Sequence, residues 1–582
     1  FSPQNATKHS VTDTRNQSAF ELLNDAFPVG AADTTPPAGY TPATWAKHVR
    51  QTRPSAPIAP PLPVSLGGPV TPLIEKIEGS GLAGETVFVN ALESGLGGDN
   101  PLTARFHWNF GDPAGEFNEL DAYNAAHAYD QPGTYTITLT INSSDGTVSS
   151  VSTQVAVAPD ARRTIYVAAG GDDGNSGLAP DQPVQSLSRA QALLADNTRV
   201  LFNRGDTFTF TTGLTVANQN VEVGAYGEGG APILMSKAFG SQGMIIPTIT
   251  ARNLLVDNLT FDTIWTSNTD EGPPYAVWNS SSEITVRNNT FLNVGYAYNG
   301  SGQPQGVFLV DNQAPLVTGI RGYFAWMQGT DYVVLNNTVA NSTREHDIRM
   351  TGVQRVAVLN NNFANLDLRP GDPNDFSKGT IVVHNADYVY VARNTVQDGP
   401  IGLGPLGGTD GLKGDYLTQR TRWCVVEYNT AKNTQLVINH GTENCTVRYN
   451  TVYSNNIVQI PVQGYDKTYK RGVANTSIIG NIGVNNSVNG NFLHLYGLAF
   501  HLTMNTNIYM SPYLTPPGNG NAVVYVDQSD LSAFDQISGN IWPLLSSTVP
   551  MYVGFGSAGR LTAAQWLALP QVSGDMFIPA NF

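Results

Sequence analysis

A short motif that returns at irregular intervals constrains this chain more than any other feature of it. Val or another apolar residue is followed by two variable residues, Asn, one variable residue and a second apolar residue, as in Val286-Arg287-Asn288-Asn289-Thr290-Phe291. The pattern returns at Val334–Val339, Val358–Phe363, Val391–Val396, Val426–Ala431, Val447–Val452, Ile478–Gly483 with one slip, and Met504–Tyr509. Its asparagines are Asn289, Asn337, Asn361, Asn394, Asn429, Asn450, Asn481 and Asn507, at steps of 48, 24, 33, 35, 21, 31 and 26 residues. The shortest step is about one coil of a β-solenoid, and the longer ones require inserted loops. Asn suits a tight turn because it tolerates the left-handed backbone. Stacked at one turn of successive coils, its amides can hydrogen-bond along the axis as a ladder.

Strand alternation sets the register. Ahead of each Asn, Val356 and Val358, Val389 and Val391, Cys424 and Val426, and Cys445 and Val447 face one way, while Tyr388, Tyr390, Thr446 and Arg448 face the other. The first set is the expected core. Cys424 and Cys445 share the 21-residue step of Asn429 and Asn450, so they are expected to stack inward on neighbouring coils, as buried thiols or as a disulfide. This arrangement resembles the right-handed parallel β-helix of the pectate-lyase-like superfamily, over about residues 163–582. Leu187 to Leu194 reads as an amphipathic helix plugging one end. Leu561 to Leu567, followed by Gly574-Asp575, reads as a short helical cap or tail packing.

Upstream, residues 1–70 lack periodicity, and ten prolines fall between Pro36 and Pro72 across their end, which favours a semi-rigid spacer or strap, with a weak helix at Ala19 to Ala26. Residues 71–158 alternate in short strands such as Thr134 to Thr140 and Val151 to Val157. Within them Trp108-Asn109-Phe110-Gly111-Asp112, His127-Ala128-Tyr129 and Pro132-Gly133-Thr134-Tyr135 follow in order. This set resembles the polycystic-kidney-disease (PKD) module, an immunoglobulin-like sandwich, and implies core-packing roles for these residues and an extracellular spacer or accessory domain. The expected fold class is all-β, a PKD-like β-sandwich followed by a right-handed parallel β-helix.

Charge narrows the partners. Lys and Arg number 31 against 46 Asp and Glu, a formal charge of −15, which excludes the basic footprint of a nucleic-acid binder. No apolar run approaches the length of a membrane-spanning helix. Two cysteines are too few for a disulfide-stapled scaffold. The chain opens on Phe1 rather than Met, which favours an exported, trimmed form. A secreted or cell-surface monomer with a polysaccharide partner is expected.

The superfamily resemblance implies three strands per coil, the Asn turn after the second, and a polysaccharide groove on the outer face of the first. On this chain it picks out His346-Asp347-Ile348-Arg349-Met350, Lys378 through His384, Lys413-Gly414-Asp415-Tyr416 and Val437-Ile438-Asn439-His440 in consecutive coils. Loops Arg369 to Asp375 and Asp398 to Asp410 enter the same strip, and Tyr465 to Arg471 add aromatic and basic groups on the next coil. Arg349, Lys378, His384, Lys413 and His440 make the strip cationic within an acidic chain. Cleavage of a uronic-acid glycan by β-elimination requires a base for the carbon-5 proton, a cation for the carboxylate and an acid for the leaving oxygen. Arg349 is expected to neutralise the carboxylate, Lys378, His384 or His440 to act as base or acid, and His346, Asp410, Asn439, Tyr465 and Lys467 to hold substrate. Hydrolysis instead needs two carboxylates roughly 5 to 9.5 Å apart, for which Asp347 with Asp415 or Asp410 is the alternative. A non-catalytic carbohydrate-binding adhesin is a third reading. Asn439-His440-Gly441 departs from the Gly-His-Gly of polygalacturonases, and no full pectate-lyase signature is present, which argues against pectin. No cofactor is required by these residues; calcium is a candidate at Asp172, Asp173 and Asn175 or at Asp372 and Asp375.

Overall fold

A computed structural model describes residues 68–579, except 78, 80, 238–242, 265–273, 318–321, 343–344, 365–378, 405–419, 455–457, 465–471, 486–489, 512–522, 528–529, 545–552 and 556–558. The proline-rich leader thus lies outside the described residues. From Val70 to Val157 the alternating segments pair antiparallel into a three-stranded sheet (Glu75–Ile77, Thr86–Asn90, Asn124–Ala128) and a four-stranded sheet (Glu119–Asp121, Arg105–Asn109, Gly133–Asn142, Val148–Val157). The motif residues pack as the resemblance implies. Trp108 is fully buried and its indole N–H donates to the Ala122 carbonyl at 3.0 Å, and the Tyr129 hydroxyl donates to Phe110 O at 2.9 Å.

Beyond Arg163 the chain winds into a parallel solenoid. A 28-stranded sheet carries the first and second strands of the coils, and a 14-stranded sheet carries the third. One coil shows the logic. Ile381–Ala392 is a continuous strand that bends from the first face to the second at Asn385, whose φ is +37°. Asn394 then turns the chain into the third strand, Thr395–Gln397. Gly329, Gly352 and Gly441, all with positive φ, make the corresponding bends in other coils. Val356, Val358, Val389, Val391, Cys424, Val426, Cys445 and Val447 all belong to the buried core, and the two cysteines are free thiols. Burial, then the neighbouring Cys445, holds the Cys424 thiol well above its ordinary range.

The ladder is longer than the motif suggested. Asn312 divides the 48-residue step, and Asn540 extends the series. At each rung the backbone N–H and Nδ2 donate to Oδ1 of the next asparagine, as from Asn361 to Asn394 at 2.9 Å each, while Nδ2 also reaches a carbonyl of the previous coil. The turn chemistry differs from expectation. The left-handed residue is the one before the rung: Asn288, Asp311, Asn336, Asn360, Arg393, Tyr428, Tyr449, Gly480, Thr506 and Gly539, with φ from +54° to +64°. The rung side chain must point into the axis to bond, so its predecessor absorbs the turn. The ladder ends on Asp575. Its Oδ1 accepts both Asn540 donors, and its Oδ2 accepts the indole N–H of Trp542 at 2.8 Å and of Trp566 at 2.9 Å. With four N–H donors and no further rung to bond, a carboxylate fits where an amide would turn a donor on donors.

Both ends are covered as expected. Helix Leu187–Leu193 buries Ala190 and packs Leu187 and Leu193 on the core. Helix Ala563–Leu567, opened by a Thr562–Gln565 capping box, buries Trp566. The sandwich docks on the outer face of the second-strand sheet. Tyr388 and Tyr390 therefore face Tyr123, with ring centroids 6.4 and 5.6 Å away, instead of water. Arg287–Asp130 and Arg393–Asp121 contacts, each 2.8 Å, rim the interface.

Candidate active site

With the second-strand face occupied by the sandwich, the outer face of the first strands carries the residues picked out above. One outward line runs Trp278, Asn299, Trp326, Arg349, Val382, Gly402 and Val437 through successive coils. Beside its first members, Tyr275, Tyr296 and Tyr323 form a column with centroid spacings of 4.3 and 4.9 Å. Tyr296 and Tyr323 stack face to face and Tyr275 meets Tyr296 edge-on, contacts that the coil repeat of about 4.8 Å permits.

The cationic cluster begins where this column ends. His346 follows Tyr323 at 6.0 Å between ring centroids, and its Nδ1 lies 2.8 Å from the Gly379 carbonyl, so Nδ1 carries the proton. The His384 ring lies 6.4 Å beyond it. His384 and His440 each immediately precede a left-handed residue, Asn385 or Gly441, at the bend between the first and second faces. Thr351 pairs with His384 in register, and Arg349 sits two residues earlier on the same outward side. Burial, then Arg349 and the neighbouring His346 and His440, pushes His384 well below the usual histidine range. It is therefore neutral at pH 7 and has a lone pair to offer as a base.

Tyr323 and Glu345 join this group, and the motif search did not find them. The Tyr323 hydroxyl donates to Glu345 Oε2 at 3.1 Å and accepts from Arg349 Nη1 at 3.2 Å. Burial, only partly opposed by Arg349, keeps the phenol well above its ordinary range, so it stays protonated. The signal was present in the spacing of Tyr275, Tyr296 and Tyr323, but the missed rung Asn312 hid two coils. Glu345 adjoins His346 and carries no motif of its own.

Asp347 is placed elsewhere. It precedes the Ala325–Ile348 register pair and so stands level with Phe324, whose ring lies 6.3 Å from Phe291 and 6.1 Å from Phe363 in the core. Asp347 is fully buried, neither of its oxygens has a hydrogen-bond partner, and burial alone raises its carboxyl far above the usual range. No cation acts on it, so it belongs to the interior rather than to the strip in which the superfamily resemblance set the segment His346–Met350. Asn439 is buried beside Gly404, with its Nδ2 unbonded. Lys378, Asp410, Lys413, Asp415, Tyr465 and Lys467 lie outside the described residues.

Among the described residues no group of three or more His, Cys, Asp or Glu side chains could hold a metal ion. The Asp172–Asn175 turn uses its carboxylates locally. Asp172 accepts from Gly174 N at 2.8 Å, and Asp173 accepts from Ser186 Oγ and from the backbone N–H groups of Gln185 and Ser186 at the start of the capping helix. Those bonds hold the Asp173 carboxyl below its ordinary range. Asp372 and Asp375 lie outside the described residues. Among the described residues no helix is long and apolar enough to cross a membrane.

Comparison with known proteins agrees with this architecture. Residues 70–158 match the PKD domain model, and residues 276–482 match the model of a right-handed beta helix region. No curated protein matches the chain. Similar solved structures include a GH136 lacto-N-biosidase from Eubacterium ramulus, 14% identical over 60% of this chain and 64% of that one, with a TM-score of 0.32. A rhamnogalacturonan lyase is 13% identical over 65% and 87%, at 0.30, and a catalytic domain of GH87 alpha-1,3-glucanase in complex with tetrasaccharides is 10% identical over 88% and 98%, at 0.34. The chain spans less than two thirds of the first of these, and likenesses this distant say nothing about its chemistry. The chain is a PKD domain joined to a right-handed parallel β-helix.

Proposed function

We propose that this protein is an extracellular enzyme that cleaves an acidic, uronate-containing polysaccharide by β-elimination on the outer face of the first strands. Arg349 pairs with the substrate carboxylate and draws off the charge that develops as carbon 5 loses its proton. Neutral His384 takes that proton, the electron pair forms the carbon 4–carbon 5 double bond, and the bond from carbon 4 to the leaving oxygen breaks. The protonated Tyr323 hydroxyl or His440 supplies a proton to that oxygen. Elimination leaves one unsaturated end and consumes no water.

One observation carries this reading: a buried, neutral histidine surrounded by Arg349, His346 and His440. A base and an adjacent carboxylate-binding cation are what elimination requires. Hydrolysis requires two opposed carboxylates, and with Asp347 in the interior, Glu345 is the carboxylate that bears on this group among the described residues. The test is a screen of uronate-bearing and neutral polysaccharides for product absorbing near the ultraviolet edge, with Arg349→Ala and His384→Ala beside the unmodified chain. Loss of about a hundredfold or more in each variant is expected. Full activity in both variants would show that the chemistry lies elsewhere.

A further inference from the structure

Farther along the same outer face stands a second polar and aromatic group that the elimination does not use. Pro461, His494 and Tyr525 share one outward line, and Gln463 and Tyr496 share the next, with Asp527 following Val526 on the same side. The intervening Leu493, Leu495, Val524 and Val526 are buried core, so the outward residues are free of the packing role that fixes their neighbours. His494 Nε2 lies 3.1 Å from Asp527 Oδ1. The His494 ring is stacked on Tyr496, centroids 3.5 Å apart, and Tyr525 meets it edge-on at 4.5 Å. The Asp527 side chain is 42% exposed, so the pair is held in place yet open to solvent. Below it the Tyr496 hydroxyl is buried with no hydrogen-bond partner.

We infer that His494, Tyr496, Tyr525 and Asp527 form a distal sugar-binding subsite of the furrow. The inference rests on reading that furrow as a glycan site and extends it to the length of the substrate. A carboxylate fixed by a histidine accepts sugar hydroxyls in charge-assisted hydrogen bonds, and the half-buried Tyr525 ring offers a surface to the apolar face of a pyranose, while buried Tyr496 holds the histidine from below. Arg349 and His494 lie in one outward line, through Val382, Gly402, Val437 and Pro461, so five coil steps of about 4.8 Å separate them by roughly 24 Å. A bound chain must therefore continue for several sugar units beyond the bond that is cleaved. Among the described residues, the outward line between the two groups, Val382, Gly402, Val437 and Pro461, is uncharged.

Affinity electrophoresis tests the subsite apart from catalysis. Gels containing alginate (uronate only), hyaluronan (uronate and hexosamine) or laminarin (neutral glucan) are run with the unmodified chain, His494→Ala and the conservative Asp527→Asn, whose exposure makes it safe for folding. The unmodified chain is expected to be retarded by at least one polymer, and both variants to bind that polymer about tenfold or more weakly, as for the loss of a charge-assisted hydrogen bond. Retardation unchanged in both variants, or none with any polymer, would overturn the subsite. The product assay reads the other claim: no unsaturated product with variant-sensitive retardation would remove the elimination and leave the subsite, and the converse pair of results would do the reverse.

Discussion

Replacing Asn394 by alanine probes the device that holds the coils together. Its side chain takes part in five hydrogen bonds. Nδ2 donates to Val358 O at 2.8 Å, Ala392 O at 3.1 Å and Asn429 Oδ1 at 2.9 Å, and Oδ1 accepts the backbone N–H and Nδ2 of Asn361 at 2.9 Å each. Asn394 is buried, so the alanine leaves at least the Asn361 N–H and the Val358 carbonyl without water to replace their partner, while Asn361 Nδ2 keeps Val334 O and Leu359 O. At about 1 to 3 kcal/mol for each orphaned group, with partial relaxation, the loss should be about 3 to 5 kcal/mol. Asn394→Asp is the informative control. It keeps an acceptor for Asn361 but sets a second oxygen against Val358 O and Asn429 Oδ1, so it should be at least as harmful at pH 7 and recover in part when acid protonates it. A solenoid can open in parts, so the local readout is hydrogen exchange at the Asn361 amide, read beside urea unfolding followed by tryptophan fluorescence. Protection there should fall by about a hundredfold or more in the alanine variant, independent of pH. A change under about 0.5 kcal/mol would refute the view that the rungs bear the stacking energy.

Asp347→Asn should keep full activity on whichever glycan is cleaved, because the carboxyl faces the core. It should also raise the unfolding free energy at pH 7, read from urea unfolding, by about 1 kcal/mol or more. The raised carboxyl favours the fold below the unfolded value of 3.8 and costs stability as pH rises above it, so the advantage of the amide should grow toward alkaline pH. His384 behaves in the opposite sense. Its depressed folded value means that stability is complete above the unfolded 6.5 and is lost as pH falls through the window below it, a dependence that His384→Asn should remove from a pH series of urea midpoints. The same depression keeps the base deprotonated in mild acid, so the acid limb of the rate profile should lie well under 6.5. Asp575→Asn turns an amide toward two indole donors and should cost about 2 to 3 kcal/mol, read by thermal melting, whereas Asn540→Asp would not mimic it because rung Asn507 and carbonyl Met504 O still need its place in the series.

Much of the fold was legible because the solenoid repeats its chemistry in sequence. The rung asparagines and the alternating valines before them recur since every coil meets the same turn and the same core. Asn312 was legible too, since Leu309-Val310-Asp311-Asn312-Gln313-Ala314 fits the motif with leucine in the first apolar place and divides the one 48-residue step. Tyr388 and Tyr390 were correctly set facing outward, yet nothing local says that another domain covers that face. The site was harder to read. Arg349, His346, His384 and His440 do converge, because register carries strand positions across coils. Asp347 failed the same rule because alternation gives way at the start of the strand, where Phe324 and Asp347 turn into the core. Tyr323 and Glu345 act through neighbours from other coils, and a single segment does not display such partners.

The most direct measurement is to digest the glycan found in the screen in water enriched with oxygen-18 and weigh the products by mass spectrometry. Elimination by His384 and Arg349 predicts chains carrying an unsaturated end and no added heavy oxygen. Saturated products with one oxygen-18 at the new end would mean hydrolysis and would contradict the central claim.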